Sequence, residues 1–582
     1  MSQTVYQSGQ TVTVKVDNTE LTEEVDAASV VAASALAEAA AATAQAGLAV
    51  NAVNFRETKT IRVGPSRDFK SQNTALAELA SKRVGYVSNG IAFNLVCDAD
   101  YYMSEQISVG NIDMTFVTIT RDASGPIPVQ RSAITQEPAF TDRRAGAKAV
   151  FSAFRGGTLP IINCLFAMDG SGTDADAANI VGFYVKDGFA YFGNGAGFTD
   201  VPWRGLYAFN SRIEGRYNDF RRCGNVLATI ATGAAVRLSD TCSGLLRDSD
   251  LRGSAIGAYI SQSTIMLDNS LVSDAVSHPT FPYSTGIGIF ATGKSIVDAD
   301  TVTATACAKS AIFLDGPVEF NATKFIGTGS GARGLDAQNG ATIAGELANF
   351  SGSGTNAALD IDQRRNINLS SACSARGSGW VSNGAPGNAL NVVSSVAYLP
   401  GLVASSTTQT PVTAYIGAQV NVSAATLTKP AGIGQHIACF TGATVDAYGT
   451  VDENGATALA NVTPNFPSSA GLVRAAPPPD TMAADATLVV GAQTAENIVL
   501  DVPLTTGRQV QFASTLVNTV TYRLNRTANA TGASLWTARA TFPGNVGNYD
   551  ITTLAAGQYA LIRLRKKQDG TVGWADVEKG NL

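Results

Sequence analysis

The chain has 582 residues, a net charge of −6, and 15% charged against 45% hydrophobic side chains. That length allows two to four domains, and the acidic balance gives no electrostatic case for binding nucleic acid. Two histidines, His278 and His436, and seven singly spaced cysteines with no Cys-x-x-Cys pair argue against a His-based zinc site and against a disulfide frame.

Residues 3–16 alternate polar and apolar and read as a strand or strand pair, in a segment, 1–19, that is expected to form an attachment strand. In residues 20–55, Leu21, Val25, Ala28, Ala32, Ala35, Ala39, Ala42, Ala46 and Ala49 keep a 4-3 spacing. That is a helical heptad seam, but an alanine seam buries little per contact and needs close-packed partner helices. It is read as a trimerising stalk, with a lone exposed helix as the alternative. Glu38 and Gln45 within it argue against a membrane span. The N-terminus has no basic stretch of the signal-peptide kind.

Residues 56–400 are expected to form a right-handed parallel β-helix. A helix near 69–84, with Phe69, Leu76 and Leu79 on one face and Gly85 as its stop, would cover the open end of the coils. Residues 125–204 are the least regular part, and the aromatic stretch from Phe183 to Gly205 reads either as a projecting loop that makes contacts or as a packed one. From Gly205 to Gly377 the chain repeats. Each block holds two short apolar runs, a polar turn, a large apolar residue and a glycine-rich corner. The large residues are Phe220, Leu251, Leu271, Val302, Phe325, Phe350 and Leu369, and inserts lengthen two blocks at 225–234 and 277–285. A period of roughly 20–25 residues made of short strands is the mark of a parallel β-helix. A β-sandwich of short strands is the competing reading. One coil cannot bury its own inward side chains, whereas coils stacked about 4.8 Å apart build a continuous core. Leu206, Ile213 and Phe220 would point inward in one coil, and Val236, Leu246 and Leu251 in the next.

After Pro400 the repeat fades. Residues 401–480 read as a β-rich connector ending in the stiff AAPPPD linker, and 481–582 as a compact β-sandwich-like domain.

Two regions resemble bacteriophage tailspike and tail-fibre proteins. The opening of the β-helix carries Asp68, Phe69, Ala75 and Leu76, then Tyr101 and Tyr102, then Ile119 and Thr120, at the places of the pattern DF-x-TLQ-x-AL … G-x-Y … I-x-I-x-G. The chain's end carries Leu554, Gly557, Asp569, Gly570 and Trp574 at the places of the closing hairpin found in tail-fibre tip domains. The resemblance implies a homotrimer in the virion tail, made in the host cytoplasm and docked through its N-terminus to tail or portal-adaptor proteins. It implies binding of host surface polysaccharide, no membrane insertion and no cofactor. An autotransporter-like adhesin is disfavoured by the missing signal peptide.

The same resemblance leaves open a polysaccharide depolymerase. Such hydrolysis needs two carboxyl groups about 5–9 Å apart, and equivalent positions on neighbouring coils are about 5 Å apart. Asp219 and Asp250 each precede a large apolar residue, and Asp248 and Asp268 each lie three before one, so each pair is expected to stack. Asp219, Asp248 and Asp250 are therefore the candidate catalytic residues, and Trp203, Tyr207 and Tyr217 the candidate sugar-stacking ones. The competing reading is a polar turn ladder through Asn218, Ser249, Asn269, Asp300 and Thr323. The pairs Asp98/Asp100, Asp298/Asp300 and Asp360/Asp362 read as surface or corner residues. Gly288 to Ser295 matches the P-loop pattern, but β-branched alternation follows it where a phosphate-binding helix is required.

Overall fold

The computed structural model describes residues 2–7, 10–15, 55, 57–136, 147–173, 179–224, 233–277, 285–440, 442–447 and 449–455. Beyond these it describes the strand segments 472–474, 480–482, 488–490, 497–500, 508–512, 521–526 and 536–541, then 548–566 and 573–581. The alanine seam and residues 475–479 of the AAPPPD linker lie outside the described residues. Ser2–Gln7 and Gln10–Lys15 pair as an antiparallel hairpin.

The body of the chain is a right-handed parallel β-helix. One coil shows how it is built. Arg204–Phe209 lies in a first sheet of thirteen strands, and Asn210 turns the chain with φ 41°. Arg212–Arg216 lies in a second sheet of sixteen strands, and Tyr217 turns it again with φ 56°. Asp219 then makes isolated parallel bridges to Gly197 and Asp250 on a third face, and a corner leads to Ala234–Ser239 in the next coil. Left-handed backbone at single residues is how each corner is turned without a long loop.

Alternation along the strands fills the core. Leu206, Val236, Ala258, Ile289, Ile312, Leu335, Ile367, Leu390 and Val412 stand in register in the first sheet, and all are buried. On the third face the bridging residues Asp219, Asp250, Leu271, Thr303, Ile326 and Asn349 point outward, and both neighbours of each point in. The larger inward neighbour follows the bridge at Phe220, Leu251 and Val272, precedes it at Val302 and Phe325, and follows it again at Phe350. Two expected landmarks therefore fall elsewhere. Leu271 is the half-buried bridging residue and Val272 takes the core, while Leu369 belongs to the first sheet opposite Ala337.

The region from Phe183 to Gly205 is not a projecting loop. It supplies strands to all three faces, and its phenylalanines alternate inward. Phe183 has Phe192, Phe151 and Phe198 around it at ring-centre distances of 4.8, 5.2 and 5.6 Å. Nor do the coils stop at 400. Val412–Tyr415, Gln419–Asn421, Thr426–Thr428 and Thr444–Asp446 continue the same three faces in parallel register. The insertions at 225–234 and 277–285, with a third at 355–364, all occur in the sequence between the third face and the first sheet.

At the N-terminal end a helix runs Gln72–Ser81. Ser71 Oγ accepts from Thr74 N, and Glu105 accepts from the N–H groups of Gln72 and Asn73, so the first turn's donors are satisfied. Ala75, Leu76 and Leu79 are buried against the first coils. Gly85 does not end this helix but lies inside a second, Arg83–Ser88.

The C-terminal strands alternate between two sheets. Asp480–Met482, Asn497–Leu500 and Thr521–Arg526 are parallel in one, and Leu488–Val490, Arg508–Phe512 and Trp536–Thr541 in the other. The rings of Phe512 and Tyr522 meet between the sheets at 5.3 Å. Only the last strands turn antiparallel, ending in the hairpin Gln558–Lys566 and Gly573–Asn581.

Candidate functional site

Stacking of coils brings the expected acidic residues together, but each already has a partner. Asp219 and Asp250 are bridge partners on the third face. Arg221 donates to Asp219 through Nε and Nη2 at 2.9 and 2.6 Å, and Arg252 to Asp250 at 2.9 and 2.7 Å. Arg216 Nε donates to Asp248 at 2.6 Å. These three carboxylates are each engaged in charge-assisted bonds with arginine. The polar ladder beside them is real, though shifted by one residue from the expected column. Asn218 N donates to Ser249 Oγ and Ser249 N to Ser270 Oγ, so Ser270 and not Asn269 continues it.

Two carboxyls that hold their protons more tightly than usual, Asp268 and Asp298, lie further along the coils at the edge of the second sheet. Leu267 N donates to Asp298 O at 2.8 Å and Asn269 N to Asp300 O at 2.9 Å. Asp268 is thereby seated directly against the Asp298–Asp300 segment, one coil spacing away. Burial raises the Asp268 carboxyl above the ordinary carboxylate range; Asp300 adds to this and Arg247, at 3.0 Å, opposes it. Burial likewise raises Asp298. Asn321 Nδ2, donating at 3.1 Å, opposes the rise, while Asp268, Glu319 and Asp300 reinforce it. Asp300 accepts from Thr323 N at 2.6 Å. Asp298 ends a strand and Asp300 lies in the turn after it, in keeping with surface or corner residues; that they stand beside Asp268 is visible only in the stacking of the coils.

Of the three expected sugar-stacking residues, Trp203 and Tyr207 are 2% exposed, and the buried Arg204 guanidinium lies 3.7 and 3.9 Å from their ring centres. Their faces are taken up by the cation. Tyr217 is 49% exposed, with the Arg216 guanidinium 4.9 Å from its ring.

A different aromatic set reaches the surface. The outward column of the first sheet runs Tyr207, Arg237, Tyr259, Phe290, Phe313, Asp336, Asn368, Asn391, Thr413 in register. Tyr259, Phe290 and Phe313 are half-buried neighbours, with ring centres 4.7 and 5.1 Å apart. Arg237 lies over Tyr259 at 4.1 Å, and Lys309 Nζ is 5.1 Å from the Phe313 ring. Further along, Asp336 is paired with Arg333, and Asn368, Asn391 and Thr413 bond to one another side chain to side chain. A separate cleft of about 490 Å³ lies at the corner between the two long sheets, where Thr241 bonds to Asn210 and Asn210 to Asp187.

Among the described residues no group of three or more His, Cys, Asp or Glu is arranged to hold a metal ion, and no helix is long and apolar enough to cross a membrane. The seven cysteines are free, six of them buried. Burial pushes the Cys97 thiol up to about 12 and the Cys242 thiol up to about 11, the opposite of an activated nucleophile. The P-loop-like segment is a strand, Ile287–Thr292, whose Ser295 accepts from Ser263 N inside a serine ladder.

No protein family matches the chain, and no curated protein does. Solved structures with a similar course include the Dettilon tailspike protein, at 12% identity and a TM-score of 0.37, covering 87% of this chain and 78% of that one. DFA-IIIase from Arthrobacter chlorophenolicus A6 matches at 12% identity and a TM-score of 0.34, over 75% of this chain and 96% of that one. A mannuronan C-5 epimerase module from Azotobacter vinelandii matches at 10% identity and a TM-score of 0.25, over 70% and 96%. Likenesses this distant speak of neither activity nor partner.

Proposed function

We propose that the chain is a tailspike-type protein of a bacteriophage tail that binds host surface polysaccharide. The observation that carries this reading is the surface column Tyr259–Phe290–Phe313. Half-buried aromatic rings recurring about every 5 Å from coil to coil offer successive apolar contacts to the rings of an extended glycan. Many weak contacts of that kind, repeated over three copies of the chain, would give firm adhesion. Docking by the N-terminal segment and assembly as a homotrimer belong to the same proposal. Retention of the full-length protein by purified capsular polysaccharides and lipopolysaccharides tests the first part, and its mass in solution tests the second. A protein that is retained by none of these glycans defeats the reading.

A depolymerase on the same shaft is favoured by one observation, the raised carboxyls of Asp268 and Asp298 on adjacent coils. Asp298 stands in register with Met266, two residues before Asp268, and a carboxyl whose hold on its proton is strengthened by burial near a second carboxyl is what glycoside hydrolysis asks of its general acid. The appearance of new reducing ends from a bound polysaccharide, abolished in Asp268→Asn and Asp298→Asn, distinguishes the enzyme from the adhesin.

A further inference from the structure

The charged residues of this chain are interrupted near the C-terminal end of the coils. From Gly377 to Thr428 no Asp, Glu, Lys or Arg occurs, in a chain of which 15% is charged. The stretch supplies Leu390–Val393 and Val412–Tyr415 to the first sheet, and Val396–Tyr398 and Gln419–Asn421 to the second. Val403–Ser406 and Thr426–Thr428 lie on the third face. It is therefore a band two coils deep with no ionised side chain on any face. The outward column of the second sheet shows both edges of the band. Arg376, Tyr398, Asn421 and Asp446 stand in register, and only the two ends are charged. Earlier strands of the same sheet carry Arg216, Asp298 and Glu319.

What the band exposes instead is apolar. Tyr398 is 54% and Ile416 57% exposed, and Val396 and Val403 are exposed as well. Val396 and Tyr398 point out of the second sheet. Ile416 stands at the corner where the first sheet leads into the second, with φ 51°, next to Ser394, whose Oγ donates to its carbonyl at 3.1 Å. Val403 lies past the opposite corner, on the third face, in register with Val381 and Thr426. Leu347, exposed too, rests against that corner at Gly379. An aromatic and aliphatic centre depleted of charge is the composition of the buried middle of a protein interface.

Symmetry says what covers it. Identical rods related by rotation about an axis along their length set every coil level with its own copies. A residue close to that axis faces itself, so a charge there meets the same charge within the screening length of about 8 Å. Neither a glycan nor an unrelated protein requires a whole band to be free of both signs of charge; a second copy of the chain does. We infer that residues 377–428 are where copies of this chain meet, with Val396 and Tyr398 next to the axis. The inference rests on the homotrimer of the reading above and adds the face and the level at which it closes. With the second sheet turned to the axis, the Ile416 corner of one copy meets the Val403 corner of the next.

The test uses the full-length chain. Sedimentation equilibrium reads its mass over a range of concentrations, for the parent and for Tyr398→Glu and Ile416→Glu, both at side chains that lie outside the core. The expected result is a trimeric parent and, in each variant, a dissociation midpoint raised by about tenfold or more, with far-ultraviolet circular dichroism unchanged. Tyr398→Cys, oxidised with diamide, should give disulfide-linked pairs of chains; the parent, with six of its seven thiols buried, should not. A trimer whose mass survives both glutamate substitutions, or a folded Tyr398→Cys that yields no linked pairs, overturns the location and leaves the trimer standing. Variants of unchanged mass that lose polysaccharide binding assign the band to the ligand and overturn the inference. A parent that stays monomeric at every concentration overturns the inference and the homotrimer together.

Discussion

Asp219 and Asp250 stand one above the other as bridge partners, and each carboxylate is clamped by the arginine two residues after it. Arg221 also reaches up, with Nε 3.7 Å from Asp250. Two like charges on adjacent rungs are tolerated because a guanidinium is interleaved with them. Arg221→Ala should therefore destabilise the coil by about 1 kcal/mol, read as a shift in the urea midpoint. The double variant with Arg252→Ala should cost more than the two singles summed, since Arg221 serves both rungs. Asp219→Asn and Asp250→Asn should leave polysaccharide binding, and any cleavage, unchanged.

Phe183 stands in a cluster of five other phenylalanine rings centred 4.8 to 6.4 Å from it. Phe183→Ala should cost about 3–5 kcal/mol, because stacked strands on either side cannot collapse into the space. Equilibrium urea unfolding checks it; a loss under 1 kcal/mol would mean that the cluster is not packed as described.

Gly377 marks a place where coils approach too closely for a side chain. A Cβ there would collide with the Gly345 carbonyl oxygen and crowd Trp380 Nε1. That same carbonyl accepts from Trp380 Nε1 at 2.8 Å, and Trp380 is buried. Gly377→Ala should cost about 2–3 kcal/mol through the forced shift and change the near-ultraviolet signal of the tryptophan. A tryptophan signal and stability matching those of the parent chain would refute it.

Two sets of carboxyls give the pH dependence opposite signs. Asp268 and Asp298 hold their protons more tightly folded than unfolded, chiefly through burial. Their contribution is fully present below the unfolded value of about 4 and is lost as pH rises through the folded values. Asp298→Asn should flatten that decline in a series of urea midpoints against pH. Asp169 behaves the other way. Burial pushes it up, but hydrogen bonds from Ser171, Tyr102 and the Arg131 N–H outweigh that and hold it at about 2. Its contribution is present above about 4 and fades as pH falls toward 2, so Asp169→Asn should remove part of the acid-side loss.

Much of this molecule was legible before any coordinates. Leu206, Ile213 and Phe220, and then Val236, Leu246 and Leu251, are read as inward from alternation alone, and all six are buried. The stacking of Asp219 on Asp250 follows from the same count. The expected column and the observed one part at Val272, which takes the core place expected of Leu271, and at Ser270, which takes the ladder place expected of Asn269, because a slip of one residue exchanges the two sides of a strand. Glycines interrupt the phenylalanines from Phe183 onward as they do in a loop, yet Gly188, Gly193 and Gly195 fall at the corners between strands.

The amino-acid order by itself determined that the chain coils in parallel, since alternation and small-residue corners are local properties carried by every block. Only the tertiary structure decided which residues of different coils share a column. That depends on the register set by each corner and insert, and register is a relation between segments 20 to 30 residues apart that no single segment encodes. Arginine capture of Asp219, Asp248 and Asp250, the burial of Trp203 and Tyr207, and the alignment of Tyr259, Phe290 and Phe313 are all consequences of that register.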